Sequence, residues 1–267
     1  MLAGLTGAIV WDILTWLWGL PTSSSHALIG GYAGAAMARA ALVRGWGKAW
    51  TVIIPGGWNK TLVFIVLAPL LGLALGFFIM VALYWILQRR SPRQVDTLFR
   101  RLQLVSAAAY SLGHGGNDAQ KTMGIVAGAL FTAGYLTPKE IAGDWGRFHW
   151  PIILAAHAAI ALGTYFGGWR IVHTMGTKIT KLKPVGGFAA ESAGALMLAF
   201  TAINGIPVST THTITGAIIG VGATHRLSAV RWGVAERIVW AWVLTIPASA
   251  AVAAVVYWLM RALVKTA

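Results

Sequence analysis

Long apolar stretches recur along the chain, and short polar or basic segments separate them. The clearest cover residues 61–87, 151–169 and 238–260, close to or above the length of about 20 residues that a helix needs to cross a bilayer core. The N-terminal apolar segment is interrupted at residues 19–21, and a loop is predicted over residues 45–59. The pattern predicts a membrane protein with helices in residues 2–43 (interrupted once), 61–87, 104–134, 149–174, 187–204, 207–225 and 236–262.

One segment of the chain occurs twice. Residues 19–30, GLPTSSSHALIG, return as residues 205–216, GIPVSTTHTITG, at a constant offset of 186 residues. Proline is tolerated in the first helical turn, and hydroxyl side chains satisfy free backbone N–H groups there, so each copy predicts the start of a half-helix. Such an end binds anions, and the duplication favours this interpretation over two ordinary helix caps. The hydroxyl residues are Ser23, Ser24 and Ser25 in the first copy, and Ser209, Thr210 and Thr211 in the second.

The second copy follows directly after the apolar segment 187–204. These two segments form either a re-entrant hairpin that does not cross the membrane or two full spans, and the sequence leaves both open. The repeat also carries His26 and His212, each in a first helical turn. Their rings are candidate ligands or proton carriers, and the alternative is that each ring only bonds a neighbouring backbone group.

A second polar site lies in residues 111–124, SLGHGGNDAQKTMG, inside an apolar region. Its glycines at positions 113, 115 and 116 predict a break in the helix in mid-membrane. Asn117 and Asp118 follow, and a carboxylate in lipid is costly and is usually paired with a cation or a water-filled pathway. Unwound carbonyls, an Asn carbonyl and a carboxylate are hard oxygen ligands suited to Na⁺, or to a proton relay. The alternative is that Asp118 pairs with Lys121, one turn away.

Glu191 is another acidic residue within apolar sequence, GFAAESAGAL. Because intramembrane ionisable residues are functional candidates by default, it is retained as one. The alternative is a carboxylate near the start of a helix at the membrane interface, where the helix dipole favours negative charge.

Composition and charge narrow the class of protein. The chain is 57% hydrophobic and 10% charged, with a formal net charge of +14 and no cysteine. Its basic residues lie at the ends of apolar runs rather than on one polar face, which indicates membrane flanks and not nucleic acid binding. Without cysteine, disulfides and thiolate metal sites are excluded. The sequence contains no Ser-His-Asp spacing and no nucleotide-binding loop that would indicate an enzyme.

The chain divides into three parts by this pattern. Residues 1–87 form a first membrane block, residues 88–103 a hydrophilic connector, and residues 104–267 a second block. The connector holds the densest basic cluster and is therefore expected to face the cytoplasm. That cluster consists of Arg89, Arg90, Arg93, Arg100 and Arg101.

Three motifs together resemble the inorganic phosphate transporter (PiT) family: GGNDAQKTMG at 115–124, GLPTSSSHALIG at 19–30 and IPVSTTHTITGA at 206–217. The resemblance covers essentially the whole chain. It implies an all-α, polytopic bundle of two inverted repeats, each with a re-entrant hairpin whose tip meets its counterpart at the phosphate site. It implies symport of inorganic phosphate, or of a metal–phosphate complex, driven by a Na⁺ or H⁺ gradient across the cell membrane, as in a bacterial inner membrane.

The resemblance also implies roles for individual residues. Phosphate contacts are expected from Ser23, Ser24, Ser25, Gln120, Ser209, Thr210 and Thr211. A role in binding or coupling the cation is expected for Asn117, Asp118 and Glu191, with Asn117 and Asp118 as Na⁺ ligands if the transport is sodium-coupled. The expected partners are phosphate, the cation and the bilayer; no enzymatic cofactor and no nucleic acid are expected, and a homodimer is left open.

The chain departs from the family at its amino end. The family carries an Asn-Asp motif in its first repeat, about 70 residues before the position of Met1, and this sequence does not include it. A truncated sequence, or a start codon placed too late, is therefore expected. The alternatives to phosphate symport are a symporter of a related oxyanion such as sulfate, and a membrane remnant that does not transport.

Overall fold

The computed structural model of the chain describes residues 1–141 and 146–266, with side chains up to residue 263. Every regular element in these residues is helical, as the apolar pattern predicts. The α-helices are α1 (Leu2–Trp18), α2 (Ser24–Arg44), α3 (Pro55–Leu87), α4 (Pro92–Thr132), α5 (Pro138–Ile141), α6 (His149–Gly167), α7 (Trp169–His173), α8 (Pro184–Ile203), α9 (Thr210–Ala223) and α10 (Trp232–Thr266).

Short helical turns fill most of the connections. A 3₁₀-helix, Trp46–Val52, occupies much of the predicted loop over residues 45–59. Helix α3 begins at Pro55, before the predicted end of that loop. A proline in the first turn removes no helical hydrogen bond, which explains this early start. A π-helical turn, Thr174–Ile179, precedes α8.

Helix α4 differs from the prediction in two ways. It is continuous from Pro92 to Thr132, so the predicted break at residues 113–116 is wrong. Gly113 serves packing, because a Cβ there would lie 3.2 Å from the Cβ of Leu198, whereas a Cβ at Gly115 or Gly116 would meet nothing within 4 Å. The Asn117 side chain donates to the Gly113 carbonyl at 2.8 Å. The backbone there keeps its helical bonds because the glycine next to α8 provides room rather than a turn.

Helix α4 also starts inside the predicted connector, residues 88–103. Ser91 caps it by accepting a hydrogen bond from the Gln94 backbone, and the Gln94 side chain accepts one from the Ser91 N–H. This reciprocal capping box satisfies two otherwise free donors at the helix start. Most of the connector is therefore helical, while its cytoplasmic location and the division into blocks stay predictions.

The helices pack in a reciprocal pattern. Helices α1 and α2 pack together as hairpin 1, and α8 and α9 as hairpin 2. Hairpin 1 packs on α10, and hairpin 2 packs on α3. The chain thus uses the same arrangement twice, with each hairpin covering the long helix of the other half. The inverted orientation of the two halves stays a prediction.

Glycines of the repeated segment make these crossings close. A Cβ added to Gly30 would collide with the Ile246 carbonyl oxygen of α10, and one added to Gly216 would collide with the Pro69 carbonyl oxygen of α3. Small residues let helix backbones approach closely, which is how helices associate within a membrane.

Within the part of the chain that the structure describes, four helical segments are long and apolar enough to cross a membrane: Pro55–Leu87, Gly146–Gly167, Pro184–Ile203 and Trp232–Leu263. Helix α9, by contrast, has 14 residues. At 1.5 Å per residue it is about 21 Å long, short of the hydrocarbon core of about 30 Å. This length fits the predicted half-helix and not a full span.

Candidate functional site at the hairpin tips

The two hairpin tips have the same local structure. The Ser23 hydroxyl accepts a hydrogen bond from the His26 N–H at 3.3 Å, and the Ser209 hydroxyl accepts one from the His212 N–H at 3.3 Å. Both serines have extended backbone angles, as an N-cap residue requires. Each repeated motif thus begins a helix, as predicted, but only α9, with 14 residues, has the length of a half-helix, since α2 has 21 residues. Ser23 and Ser209 are buried, and their hydroxyls are engaged in capping.

The two repeated histidines meet between the hairpins. The rings of His26 and His212 pack edge to face with centroids 4.9 Å apart, and His212 stacks on Trp242 of α10 at 3.9 Å. Among the described residues, Nδ1 of His26 and both ring nitrogens of His212 lack a hydrogen-bond partner, although the Ile65 carbonyl faces the His212 ring. The expected ring-to-backbone hydrogen bonds at these nitrogens are not formed, and the rings instead join the two tips.

Asp118 lies on α4 and contacts residues of its own helix and of hairpin 2. Its Oδ2 accepts a hydrogen bond from the Thr210 hydroxyl at 3.2 Å and lies 2.9 Å from Nε2 of His114. Its Oδ1 lies 3.2 Å from the Lys121 ammonium. The pairing of Asp118 with Lys121, which the sequence left as an alternative, is therefore present.

Lys121 also reaches both hairpin tips. Its ammonium donates to the Ser25 hydroxyl at 2.7 Å and to the Val208 carbonyl at 3.0 Å. One cation thus joins α4, hairpin 1 and hairpin 2. Lys121 was not among the predicted site residues. The available signal was a lysine in an apolar helix, which needs polar partners for its charge.

An open cleft of about 530 Å³ lies beside these contacts, between α1, α2, α4 and α6. Ser24, Ser25, Asp118 and Lys121 line it. A second cavity, of about 290 Å³, is also lined by Lys121 and Ser25. Ser24 and Ser25 of the first tip therefore border the cleft, whereas Ser209, Thr210 and Thr211 line neither space.

Asp12 on α1 also lines the cleft. Its carboxylate interacts with the Ser24 hydroxyl on the next helix. By the offset of 186 residues, Ser24 corresponds to Thr210, which donates to Asp118. Equivalent hydroxyls of the two tips thus each face an aspartate, one within hairpin 1 and the other on α4.

The structure separates two of the predicted site residues from this cluster. Gln120 is exposed and borders neither space. Glu191 accepts a hydrogen bond from the Ser106 hydroxyl at 2.6 Å and one from the Gln103 amide at 3.4 Å. Ser106 precedes Asp118 by 12 residues on α4, about 18 Å along the helix. Glu191 therefore joins α8 to α4 away from the tips.

The predicted cation ligands are only partly assembled. Asn117 donates its amide N–H to the Gly113 carbonyl, which leaves its carbonyl oxygen as an acceptor. Both Asp118 oxygens already have partners. Among the described residues, no group of three or more His, Asp or Glu side chains could hold a metal ion. A cation here would therefore rely on one carboxylate and on amide, hydroxyl or backbone oxygens.

Comparison with known proteins identifies the family. The sequence profile of the phosphate transporter family matches residues 1–253. A Rhizobium meliloti protein named "Probable low-affinity inorganic phosphate transporter" is 53% identical over 96% of this chain and 72% of its own length. A Bacillus subtilis protein of the same name is 40% identical over 98% of this chain and 74% of its own length.

A solved structure, "The sodium-dependent phosphate transporter", superimposes with a TM-score of 0.74 at 25% identity. The alignment covers 97% of this chain and 78% of the other. This likeness agrees with the all-helical arrangement of the present chain, which has several helices able to cross a membrane. The chain belongs to the phosphate transporter family and is a multi-pass membrane protein of a transporter family, not an enzyme.

Proposed function

We propose that the protein carries inorganic phosphate across the membrane together with a coupling cation, Na⁺. The observation that carries this proposal is the cluster at the hairpin tips, where Asp118, Lys121 and the Ser25 hydroxyl lie together beside an open cleft within a bundle of apolar helices. Ionisable groups held inside a membrane domain mark ion and substrate pathways. The named function of the relatives supports phosphate as the substrate.

The phosphate contacts are proposed at the first tip. Ser24 and Ser25 border the cleft and stand at the start of α2, where free backbone N–H groups and the helix dipole favour an anion. The Lys121 ammonium lies 2.7 Å from the Ser25 hydroxyl and adds a full positive charge to these neutral donors. The capping serines, Ser23 and Ser209, contribute by fixing the tips rather than by touching phosphate.

The cation is proposed to bind at Asp118, with the Asn117 carbonyl as a second ligand. Hard oxygen donors suit Na⁺, and a carboxylate in an apolar bundle gains most from a cation partner. Na⁺ is preferred to H⁺ because the solved structure that superimposes on this chain is named as sodium-dependent.

The test is uptake of labelled phosphate by purified protein in proteoliposomes, under a Na⁺ gradient or under a proton gradient. Replacing Asp118 with Asn should lower Na⁺-driven uptake about 100-fold, because losing about 3 kcal/mol of interaction with a charged group corresponds to that factor. Asp96→Asn is the matched control, since the Asp96 side chain is 44% exposed and pairs with Arg100.

Each alternative gives a different result. Equal inhibition of uptake by sulfate and by unlabelled phosphate would favour a general oxyanion transporter. Uptake driven only by protons would replace Na⁺ in the proposal. A chain that inserts and folds but takes up no phosphate under either gradient would be a remnant that does not transport, and normal Na⁺ dependence in Asp118→Asn would exclude Asp118 as the cation site.

A further inference from the structure

Lys121 occupies the position beside Asp118 where a coupling cation would bind. We propose that Lys121 is a tethered competitor of that cation: Na⁺ at Asp118 releases the Lys121 ammonium toward phosphate in the cleft, and loss of Na⁺ returns it. This inference rests on the proposed function and adds to it a mechanism by which cation binding promotes phosphate binding.

The first step is the exclusion of one cation by the other. Asp118 Oδ2 is engaged by His114 and Thr210, so Oδ1 is the oxygen on which Lys121 and Na⁺ would compete. Two positive charges within about 4 Å repel strongly in surroundings less polar than water. Na⁺ at Oδ1 therefore displaces the ammonium from the carboxylate.

The second step concerns the partners left to the ammonium. After losing Asp118 it keeps the Ser25 hydroxyl and the Val208 carbonyl, and both are uncharged. A lysine charge inside an apolar bundle without an anionic partner is costly. Displacement by Na⁺ thus creates a local need for an anion.

The third step places that anion. Lys121 lines the cleft together with Ser24 and Ser25, and it is the only Lys or Arg among the described residues lining that space. A phosphate there would meet hydroxyl donors, the start of α2 and the released ammonium. Because Lys121 also lines the cavity of about 290 Å³, open space for its side chain to move lies next to it in both the cleft and that cavity.

The consequence is reciprocal coupling without direct contact between Na⁺ and phosphate. Each ligand binds better when the other is present. Na⁺ releases the Lys121 ammonium from Asp118 toward phosphate, and phosphate holds that ammonium away from the Na⁺ site. Linkage requires the same factor in both directions, and such factors are commonly about 5- to 150-fold.

The experiment compares Lys121→Gln with wild-type protein and with Lys139→Gln, a control at an exposed lysine on α5. Phosphate binding is measured in detergent with and without Na⁺, and Na⁺ binding is measured separately without phosphate. Wild type should show an increase in phosphate affinity with Na⁺ of about tenfold. Lys121→Gln should show about twofold or less, and it should bind Na⁺ about fivefold more tightly because the competitor is gone.

Lys121→Arg should retain most of the coupling, because it keeps a cation on the same helix position. Should Lys121→Gln fail to fold, Lys121→Met removes the charge while keeping an apolar stem, and the same results are expected. A structural role alone would weaken both ligands and could not tighten Na⁺ binding.

Unchanged coupling, or unchanged or weaker Na⁺ binding, in a folded neutral variant would overturn the competitor role. Failure of the proposed function would look different, because wild-type protein itself would then show no Na⁺ binding and no phosphate uptake.

Discussion

The two hairpins share a local sequence and a local structure, but their surroundings differ. In both, a serine caps the second helix and a histidine follows at the same spacing. The first helix of hairpin 1, α1, borders an open cleft, whereas the first helix of hairpin 2, α8, packs along α4. Ser24 and Ser25 of the first tip are consequently open to a ligand in the cleft, and the hydroxyl residues of the second tip line neither the cleft nor the cavity of about 290 Å³.

Helix α4 accounts for this difference. Tyr110 of α4 donates to the Thr210 carbonyl at 3.2 Å, and Asp118 of α4 accepts from the Thr210 hydroxyl at 3.2 Å. Within the described part of the chain, Ser24 has no counterpart of the Tyr110 contact, and the aspartate that its hydroxyl faces, Asp12, lines the open cleft. A capping motif thus determines where a helix starts, while a neighbouring helix determines whether the hydroxyls at that start are free to bind a ligand.

Substituting the glycines at the close helix crossings of the two hairpins should reduce the stability of the protein the most. Gly216→Ala places a Cβ about where the Pro69 carbonyl oxygen lies, and Gly30→Ala does the same against α10. Because the obstructing atoms are backbone, each variant should lose about 3 kcal/mol of folding free energy, at the upper end for overpacking.

The midpoint of thermal unfolding in detergent measures this loss. Gly163→Ala is the control, since a Cβ at that position of α6 meets nothing within 4 Å. If the two hairpins are equivalent in packing, both glycine variants should be affected alike. An effect at Gly216 alone would show that only hairpin 2 depends on the close crossing.

A smaller effect should separate the two tips in binding. Ser25→Ala should weaken phosphate binding about tenfold, because a hydrogen bond to a charged group is worth about 1.5 kcal/mol or more. Thr211, its equivalent in the repeat, lines neither cavity, so Thr211→Ala should change phosphate affinity by less than about twofold. Isothermal titration with phosphate checks both, and equal losses would place the anion symmetrically between the tips.

The smallest effect should be the same in both hairpins. Ser23→Ala and Ser209→Ala each remove an N-cap hydroxyl and should each cost about 1 kcal/mol of stability. Chemical unfolding of the purified protein would compare them, with the corresponding Gly variants as controls, since Gly at an N-cap costs only a few tenths of a kcal/mol. A much larger loss at one serine would mean that it contributes to the tertiary contacts as well as to capping.

Much of the fold could be predicted because its signals are local. The apolar segments gave the main helices, and the repeated proline and serine positions placed the starts of α2 and α9. The pairing of Asp118 with Lys121 was foreseeable as an alternative because one helical turn separates them. The glycine-rich segment of α4 was misinterpreted, since its sequence does not show that Gly113 lies against Leu198.

The candidate site was predicted less completely. The sequence indicated the tip hydroxyls and Asp118, but it did not indicate that Lys121 contacts Ser25 and Val208. It grouped Glu191 with the cation site, whereas the structure pairs Glu191 with Ser106, well along α4 from Asp118. Gln120 was grouped with the phosphate residues and lies exposed.

The class of protein, the helices and the two capped tips follow from the sequence alone, because apolar length, proline position and hydroxyl caps act over a few neighbouring residues. Which tip borders the cleft, and which side chains contact the charged groups, depend on the tertiary structure. Lys121 and Ser25 are 96 residues apart, and Asp118 and Thr210 are 92 apart. Such contacts follow from how the helices cross, and the crossings depend on which glycine surfaces meet in the folded bundle.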